Sequence, residues 1–343
     1  MSWNGAHLLP ACLDSLLAQT IASSLEVVVV DNASEDGTAA LLAARYPQVR
    51  VVRSAVNTGF AGGANLGIEG FEGDYIALLN NDATFDADAI ERMRSVLDDP
   101  DNGRVAAVTA KILLAGAYRP EPVVVGVAPP RGSFRRDDCW LVPSDPAEPG
   151  SISVVNSTGN VVTRHGTGAD RDWLRAEGEE SRDPEVFGFC GGAALIRRRA
   201  LDDVGAFDRD LFLYYEDTDL SWRMRTGGWT IRYCASAVAR HRHAASSDVA
   251  SPLFRYYNTR NSLVVLARYA PARAVIGSCA RQIGGCAVAL ARHAEPGAVT
   301  LARARGIAAF LRRVPRTVRD RRRRGERTRL SAAARDLGGH PPA

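Results

Sequence analysis

Apolar and polar positions along the chain follow two periods. Leu8, Leu9, Cys12, Leu13, Leu16 and Leu17 recur at helical spacing, which predicts an amphipathic helix near the start. Val27 to Val30 are β-branched and apolar on both faces, as in a strand covered on both sides of a sheet. An acidic turn follows, and Ser34, Asp36 and Thr38 can each cap the helix that Ala39, Ala40, Leu41 and Leu42 open. The pattern then repeats. Val49 to Arg53 is a short strand, and residues 57 to 69 are a Gly-rich loop running into a helix. Tyr75 to Leu79 is a strand, Asp86 to Leu97 a helix, and Val105 to Leu114 includes another strand. Alternation of this kind predicts an α/β fold with a mixed, mainly parallel sheet flanked by helices.

Residues 115 to 150 are rich in Pro, Gly and Arg and are expected to form an insertion or long loop. Order resumes at Phe187, with a helix from Glu216 to Thr226, a strand from Thr230 to Tyr233, and a helical pattern from Pro252 onward. A parallel sheet normally opens with a strand, yet only Met1-Ser2-Trp3 precedes the Asn4-Gly5 turn. The expectation is a sheet lacking an edge, or a first strand truncated by a shortened start.

Charge changes this picture in one place. The formal net charge is +4, but residues 301 to 343 hold 13 Arg against 3 acids, so the rest of the chain is acidic. Ile307, Leu311, Val314 and Val318 share one helical face among those arginines, the pattern of a basic amphipathic helix lying on an anionic membrane surface. Pro315 is expected to kink it. No uninterrupted apolar run reaches the roughly 20 residues of a spanning helix. Six cysteines show neither CxxC pairing nor zinc spacing, which points to reduced thiols in the cytoplasm. The acidic body, without a DNA-reading motif, argues against a nucleic-acid partner.

Four short stretches carry candidate chemistry. Asp31 and Asn32 lie at the carboxyl end of an apolar strand, where open α/β sheets bind ligands. Asn80-Asn81-Asp82 is a second such strand end, offering hard oxygen ligands suited to Mg²⁺ or Mn²⁺, though an Asx turn would use the same residues. Glu216, Asp217 and Asp219 crowd a helix start beside Tyr214 and Tyr215. Helix-dipole stabilisation accounts for one or two acids there; a third, in apolar surroundings, suggests a general base. His241 and His243 follow a strand and offer imidazole ligands or polar surface. The glycines at 59, 62, 63 and 67 lack the spacing of a phosphate loop.

The order of these pieces, through about residue 265, resembles the family 2 glycosyltransferases of the GT-A fold. The likeness is nearest to the bacterial rhamnosyltransferase and galactofuranosyltransferase branch. That resemblance implies a nucleotide-sugar-binding half at 1–114 and an acceptor-binding and catalytic half at 115–265. A helical, Arg-rich extension at 266–343 follows. It places the donor nucleotide against Asp31, Asn32, Asn57, Gly59, Phe60, Asn65, Asn80 and Asn81. It places a divalent ion, Mg²⁺ or Mn²⁺, on Asp82 and His241, with His243 as the other register. It makes Asp217 the base, assisted by Glu216, and puts the acceptor against Gly191, Gly192 and Tyr215. The absence of a QxxRW motif argues against a processive synthase. The implied activity is inverting transfer from dTDP-L-rhamnose, or from UDP-galactofuranose or another UDP-sugar. The implied acceptor is a cell-wall or surface polysaccharide, or a polyprenyl-diphosphate-linked glycan at the inner face of the membrane. The competing expectation is a nucleotide-sugar-binding module without catalysis.

Overall fold

The computed structural model describes residues 1–124, 126–163, 167–242, 251–292 and 295–324. The first half winds α1 (Leu9–Leu17), β1 (Val28–Asp31), α2 (Thr38–Arg45), β2 (Arg50–Arg53), α3 (Gly59–Ile68), β3 (Tyr75–Leu79), β4 (Ala83–Phe85), α4 (Ala89–Asp98) and β5 (Val105–Leu114). Next come β6 (Ala117–Pro122), β7 (Phe134–Arg136), β8 (Cys139–Ser144), β9 (Val155–Ser157), β10 (Asn160–Val162), β11 (Gly168–Asp170), β12 (Ala193–Arg197) and α5 (Arg198–Val204). Helix α6 (Glu216–Thr226) precedes β13 (Thr230–His241), α7 (Pro252–Tyr269), α8 (Ala272–Arg292) and α9 (Gly297–Arg324).

The main sheet has the order β3-β12-β5-β13-β4, with β9 on β5. Its middle strand β5 is buried at all positions but one, as its unbroken apolar run requires. The sheet is mixed, as expected, but its neighbours are mostly antiparallel. Strands β3, β5 and β13 run one way, and β12 runs against them between β3 and β5. Among the described strands, parallel pairing is confined to β5–β13 and to β1–β2.

The β1–β2 pair forms a separate sheet. Ser2 makes one parallel rung beside β1, its N–H donating to Val30 O at 2.8 Å and its carbonyl accepting from Asn32 N–H at 2.8 Å. Past that rung a trough of about 480 Å³ separates β1 from β3, lined by Val28, Val30, Ile76, Leu78 and Leu79 among others.

Three local expectations are corrected. The Gly-rich stretch is itself helix: α3 begins at Gly59, and its small residues let it lie close on β1, where a Cβ on Gly67 would meet Val30 at 3.2 Å. Residues 115–150 hold a three-stranded antiparallel sheet, β6-β8-β7, instead of a long loop. It is held by a small core in which Tyr118, Leu141, Val154 and Leu174 are buried, with Phe134 and Trp173 packed against them. Strand β13 runs on past Tyr233 to His241, because an irregularity between Cys234 and Val238 resets its alternation of buried positions.

The carboxy-terminal helices are a packed layer. The boundary expected at 265/266 falls inside α7. The stripe expected to face a membrane is turned inward at two of its four residues. Ile307 and Val314 pack with Phe310 against Leu263 and Val264 of α7, leaving Leu311 and Val318 exposed. Pro315 lies within α9 and does not end it.

Candidate active site

Register brings the site together. Strand β4 pairs antiparallel with β13 so that Ala83 faces His241, which sets Asp82 beside His241. His241 Nε2 lies 3.0 Å from Asp82 Oδ1, with Asp82 almost fully buried. The other ring nitrogen, Nδ1, is 2.7 Å from Asn156 Oδ1 on β9. An Nδ1–H donated to Asn156 leaves the Nε2 lone pair facing the same point as the Asp82 carboxylate. That donor set fits a divalent cation, since adjacent ligand atoms of an octahedron with bonds of ~2.1 Å lie about 3.0 Å apart. Among the described residues no group of three or more His, Cys, Asp or Glu forms a metal cage. Mg²⁺ and Mn²⁺ need no such cage where substrate phosphates complete the shell. His243 lies outside the described residues.

The second centre is the start of α6. Its three acids have three separate fates. Asp217 is half-buried and points into the cleft: Oδ2 accepts from Gly191 N–H at 3.0 Å, and Oδ1 accepts from the Thr218 N–H at 2.6 Å and hydroxyl at 3.2 Å. Asp219 is fully buried, between Arg268 at 2.7 Å and Arg223 at 3.0 Å, with the Tyr269 hydroxyl donating at 2.9 Å. Burial opposes its ionisation, but the two guanidiniums outweigh that and hold its carboxyl below the usual range. Glu216 is turned inward; Oε2 has no hydrogen-bond partner among the described residues. Burial, and then the neighbouring Asp217 charge, push its carboxyl well above the usual range. Ionisation of Glu216 beside Asp217 is thus disfavoured.

The loop leading into α6 is strained and clamped. Phe212, Tyr214 and Tyr215 all have positive φ, at 66°, 69° and 71°. The Asn261 amide of α7 reaches the carbonyls of Leu211, Leu213 and Tyr214, each at 2.8 Å. Arg260 donates to Asp210 O and Leu211 O, and the rings of Phe212 and Tyr257 stack at 4.9 Å. The Tyr215 ring packs on the α7–α9 core, and its hydroxyl donates to Gly168 O at 3.4 Å.

The donor-side residues divide into those that face the cleft edge and those that brace it. Asp31 Oδ1 accepts from Ser34 N–H at 3.0 Å, and Oδ2 lies 3.8 Å from Arg53. The rest of the acidic turn holds the chain start: Asp36 accepts from Ala6 N–H, and Ser34 from Asn4 N–H. Asn32 is fully buried, its amide donating to Asn57 and Gly59 O and its carbonyl accepting from the Thr58 N–H and hydroxyl. It therefore shapes the 57–59 loop from inside. Gly59 (φ 70°) lies under Phe212, whose carbonyl would stand 2.3 Å from a Cβ there and accepts from Ala61 N–H. Here the 57–59 loop touches the loop before α6. Phe60 packs edge-on to Phe207 and lies near Gly191. Asn65 pairs both ways with the Phe207 backbone, tying α3 to the segment after α5. Asn80 N–H donates to Gly192 O, joining the end of β3 to the entry of β12, and Asn81 donates to Ser2 Oγ at 3.2 Å.

Two residues here have no warning in the sequence. Asn156 orients His241 from a three-residue strand. Asp170, at the end of β11, keeps a solvent-exposed face, yet crowding by protein in the cleft, with the charge of Asp217, pushes its carboxyl up to about 6. Each lies on a strand of three residues, too short for a period to show.

Comparison with known proteins gives the family and the fold. A Mycobacterium tuberculosis N-acetylglucosaminyl-diphospho-decaprenol L-rhamnosyltransferase is 27% identical over 252 residues, 68% of this chain and 73% of that protein. The succinoglycan biosynthesis protein ExoO of Rhizobium meliloti is 40% identical over 93 residues, 27% of this chain and 26% of its own. Among solved structures, the Pyrobaculum calidifontis mannosyltransferase PcManGT, in complex with GDP-Man and Mn²⁺, aligns over 92% of this chain and 85% of its own. Its TM-score is 0.50 at 16% identity, a likeness of fold. GalNAc-T7 with UDP, GalNAc and Mn²⁺ aligns over 75% of this chain and 44% of its own, with a TM-score of 0.51 at 12% identity. The sequence model of glycosyl transferase family 2 matches residues 1–205, more than half of the chain. With Asp31, Asp82 and the Gly59 loop all inside that match, the chain belongs to glycosyl transferase family 2 and is a glycosyltransferase.

Proposed function

We propose that this glycosyltransferase moves L-rhamnose from dTDP-L-rhamnose to a glycan acceptor carried on a polyprenyl diphosphate, with inversion at the anomeric carbon. The observation that carries the reading is that Asp217, held by Gly191, and His241, held by Asp82, both act on the charge of Asp170 between them. The choice of rhamnose and of a lipid-linked acceptor is supported by the mycobacterial relative named above. A UDP-sugar such as UDP-galactofuranose is the second donor class of the same branch.

In the proposed reaction the Asp217 carboxylate takes the proton of an acceptor hydroxyl as that oxygen attacks the anomeric carbon. The bond from that carbon to the diphosphate oxygen breaks, and the nucleoside diphosphate leaves with the electron pair. Asp82 and His241 would hold a divalent ion whose charge neutralises the leaving diphosphate. Asn156 keeps the His241 ring turned toward that point. Gly191, lacking a Cβ, lets a sugar approach the Asp217 carboxylate. Burial disfavours a second charge on Glu216 beside it. A non-catalytic binding module would have no use for the strained, clamped loop that presents Asp217.

The test is a panel of nucleotide sugars scored for transfer and hydrolysis with Mg²⁺, Mn²⁺ or EDTA. Turnover of dTDP-L-rhamnose that needs a divalent ion, and falls further in His241→Ala than in His243→Ala, supports the reading. Full activity in EDTA removes the metal assignment, and turnover of UDP-sugars alone removes the rhamnose assignment.

A further inference from the structure

Helix α8 is apolar on both sides. Its inward side packs Val275, Cys279 and Cys286 on the α7–α9 core and carries Ser278, buried, and Gln282, which donates to Ser262 Oγ on α7 at 3.5 Å. Gly285 lies against the Arg303 guanidinium of α9. Its outward side carries Ile276, Ala280, Ile283, Ala287 and Leu290, recurring at helical spacing along one face. Ile276 is 68% exposed, Ile283 55% and Leu290 70%, with Val288 beside them at 51%. A surface helix of a water-soluble domain normally turns a polar face outward. The helix has no acidic residue, and Arg273 and Arg292 bracket the apolar stripe with Arg281 beside it, all three exposed.

We propose that the outer face of α8 docks on an anionic phospholipid bilayer, lying in its interface with the apolar stripe inserted and the three arginines on phosphate headgroups. Length and composition alone would also allow α8 to cross a membrane. Its polar contacts to α7 and α9 argue for lying flat, since crossing would strip Gln282 and its arginines of partners and water. Charge also favours lipid over a second copy of the chain. Two such faces packed on a two-fold axis would bring arginines against arginines. The exposed Arg305, Arg312 and Arg319 of α9 extend the positive surface. This site is distinct from the inward-turned stripe of α9. The inference stands apart from the sugar-transfer reading; where the acceptor is lipid-linked, docking through α8 holds the cleft at the surface that carries it.

The test is flotation of the full chain with vesicles of phosphatidylcholine alone and of phosphatidylcholine with phosphatidylglycerol. It compares wild type, an Ile276→Gln/Ile283→Gln/Leu290→Gln variant and an Arg273→Gln/Arg281→Gln/Arg292→Gln variant. Thermal melting and donor hydrolysis in vesicle-free solution check that each variant is folded. Wild type should bind the anionic vesicles and release at high salt. The apolar variant should lose at least about tenfold in partitioning, and so should the arginine variant, as each basic residue near an anionic surface is worth about fivefold. Unchanged hydrolysis with lost flotation separates docking from sugar transfer. Wild type that stays unbound at low salt, or variants that float as well as wild type, would overturn the proposal. It would equally fail if the apolar variant only turned a dimer into a monomer, since the face would then be a contact between copies.

Discussion

Asn261 is the residue whose removal tests the clamp on the catalytic loop. It is fully buried on α7 and reaches three carbonyls of the segment before α6. In Asn261→Ala, Leu211 O keeps the Arg260 guanidinium, but the Leu213 and Tyr214 carbonyls lose the donor they share. An orphaned buried polar group costs about 1–3 kcal/mol, so two cost about 2–6 kcal/mol if the loop stays in place. It will not stay: the three positive-φ residues each hold on the order of 1–3 kcal/mol of strain that a freed loop releases. Release of that strain can only lower the loss, so the net is expected at the low end, about 2 kcal/mol, a fall in Tm of roughly 3 °C at about 2.1 cal/mol/K per residue. The carboxylate of Asp217 moves with the loop, and a displacement of about 1 Å costs on the order of 10²-fold in turnover. If, as proposed, the donor is bound largely by the β1 and α3 side, its affinity is kept. Calorimetric donor titration, thermal melting and release of nucleoside diphosphate measure the three quantities. An Asn261→Ala protein with wild-type Tm and wild-type kcat would refute the clamp. Loss of donor affinity in step with kcat would show general unfolding of the cleft instead.

Other outcomes follow from the same contacts. Gly59→Ala forces a Cβ into the Phe212 carbonyl at a positive φ, so it should melt lower and bind donor more weakly; an unperturbed Kd would contradict the close approach. Asp219→Asn leaves Arg223 and Arg268 facing one another without their shared carboxylate, and should cost about 3–5 kcal/mol in urea unfolding. A loss no larger than that of an exposed charge change would contradict it. Glu216 has a raised carboxyl, so its contribution to stability is complete below the unfolded value near 4.5 and is lost as pH rises through the folded one. Glu216→Gln should therefore gain Tm over wild type on the alkaline side, with the gain shrinking toward pH 5; a difference that grows on acidification would reverse the sign.

Much of the sheet, and the charged centres of the site, were legible in the sequence for physical reasons. The run Val105 to Leu114 must be buried on both faces, and it is the central strand. Three acids at one helix start exceed what a helix dipole uses, and they resolve into a cleft carboxylate, a buried ion network and a carboxyl whose ionisation is disfavoured. What was not legible depended on tertiary placement. A helical apolar stripe looks the same whether it meets a core or a lipid surface, so Ile307 and Val314 are expected outside, and residues 274 to 291 read only as a run too broken by Arg281, Gln282 and Gly284-Gly285 to span. Asn32 and Asn65 show no more in sequence than that they are polar, while in the fold each is spent on a neighbouring backbone or loop. The irregularity after Cys234 breaks the alternation that would have carried β13 to His241. Asn156 and Asp170 sit on three-residue strands, too short for any period to show.

The central claim is that Asp217 acts as the base for sugar transfer. It is tested most directly by Asp217→Asn, with turnover and donor binding measured on the same preparation. The amide keeps the size of the side chain and a carbonyl for Gly191 N–H, but cannot take the acceptor proton. Transfer from dTDP-L-rhamnose should fall ~10²–10⁴-fold while donor Kd stays at the wild-type value. Turnover by Asp217→Asn at the wild-type rate would contradict the account.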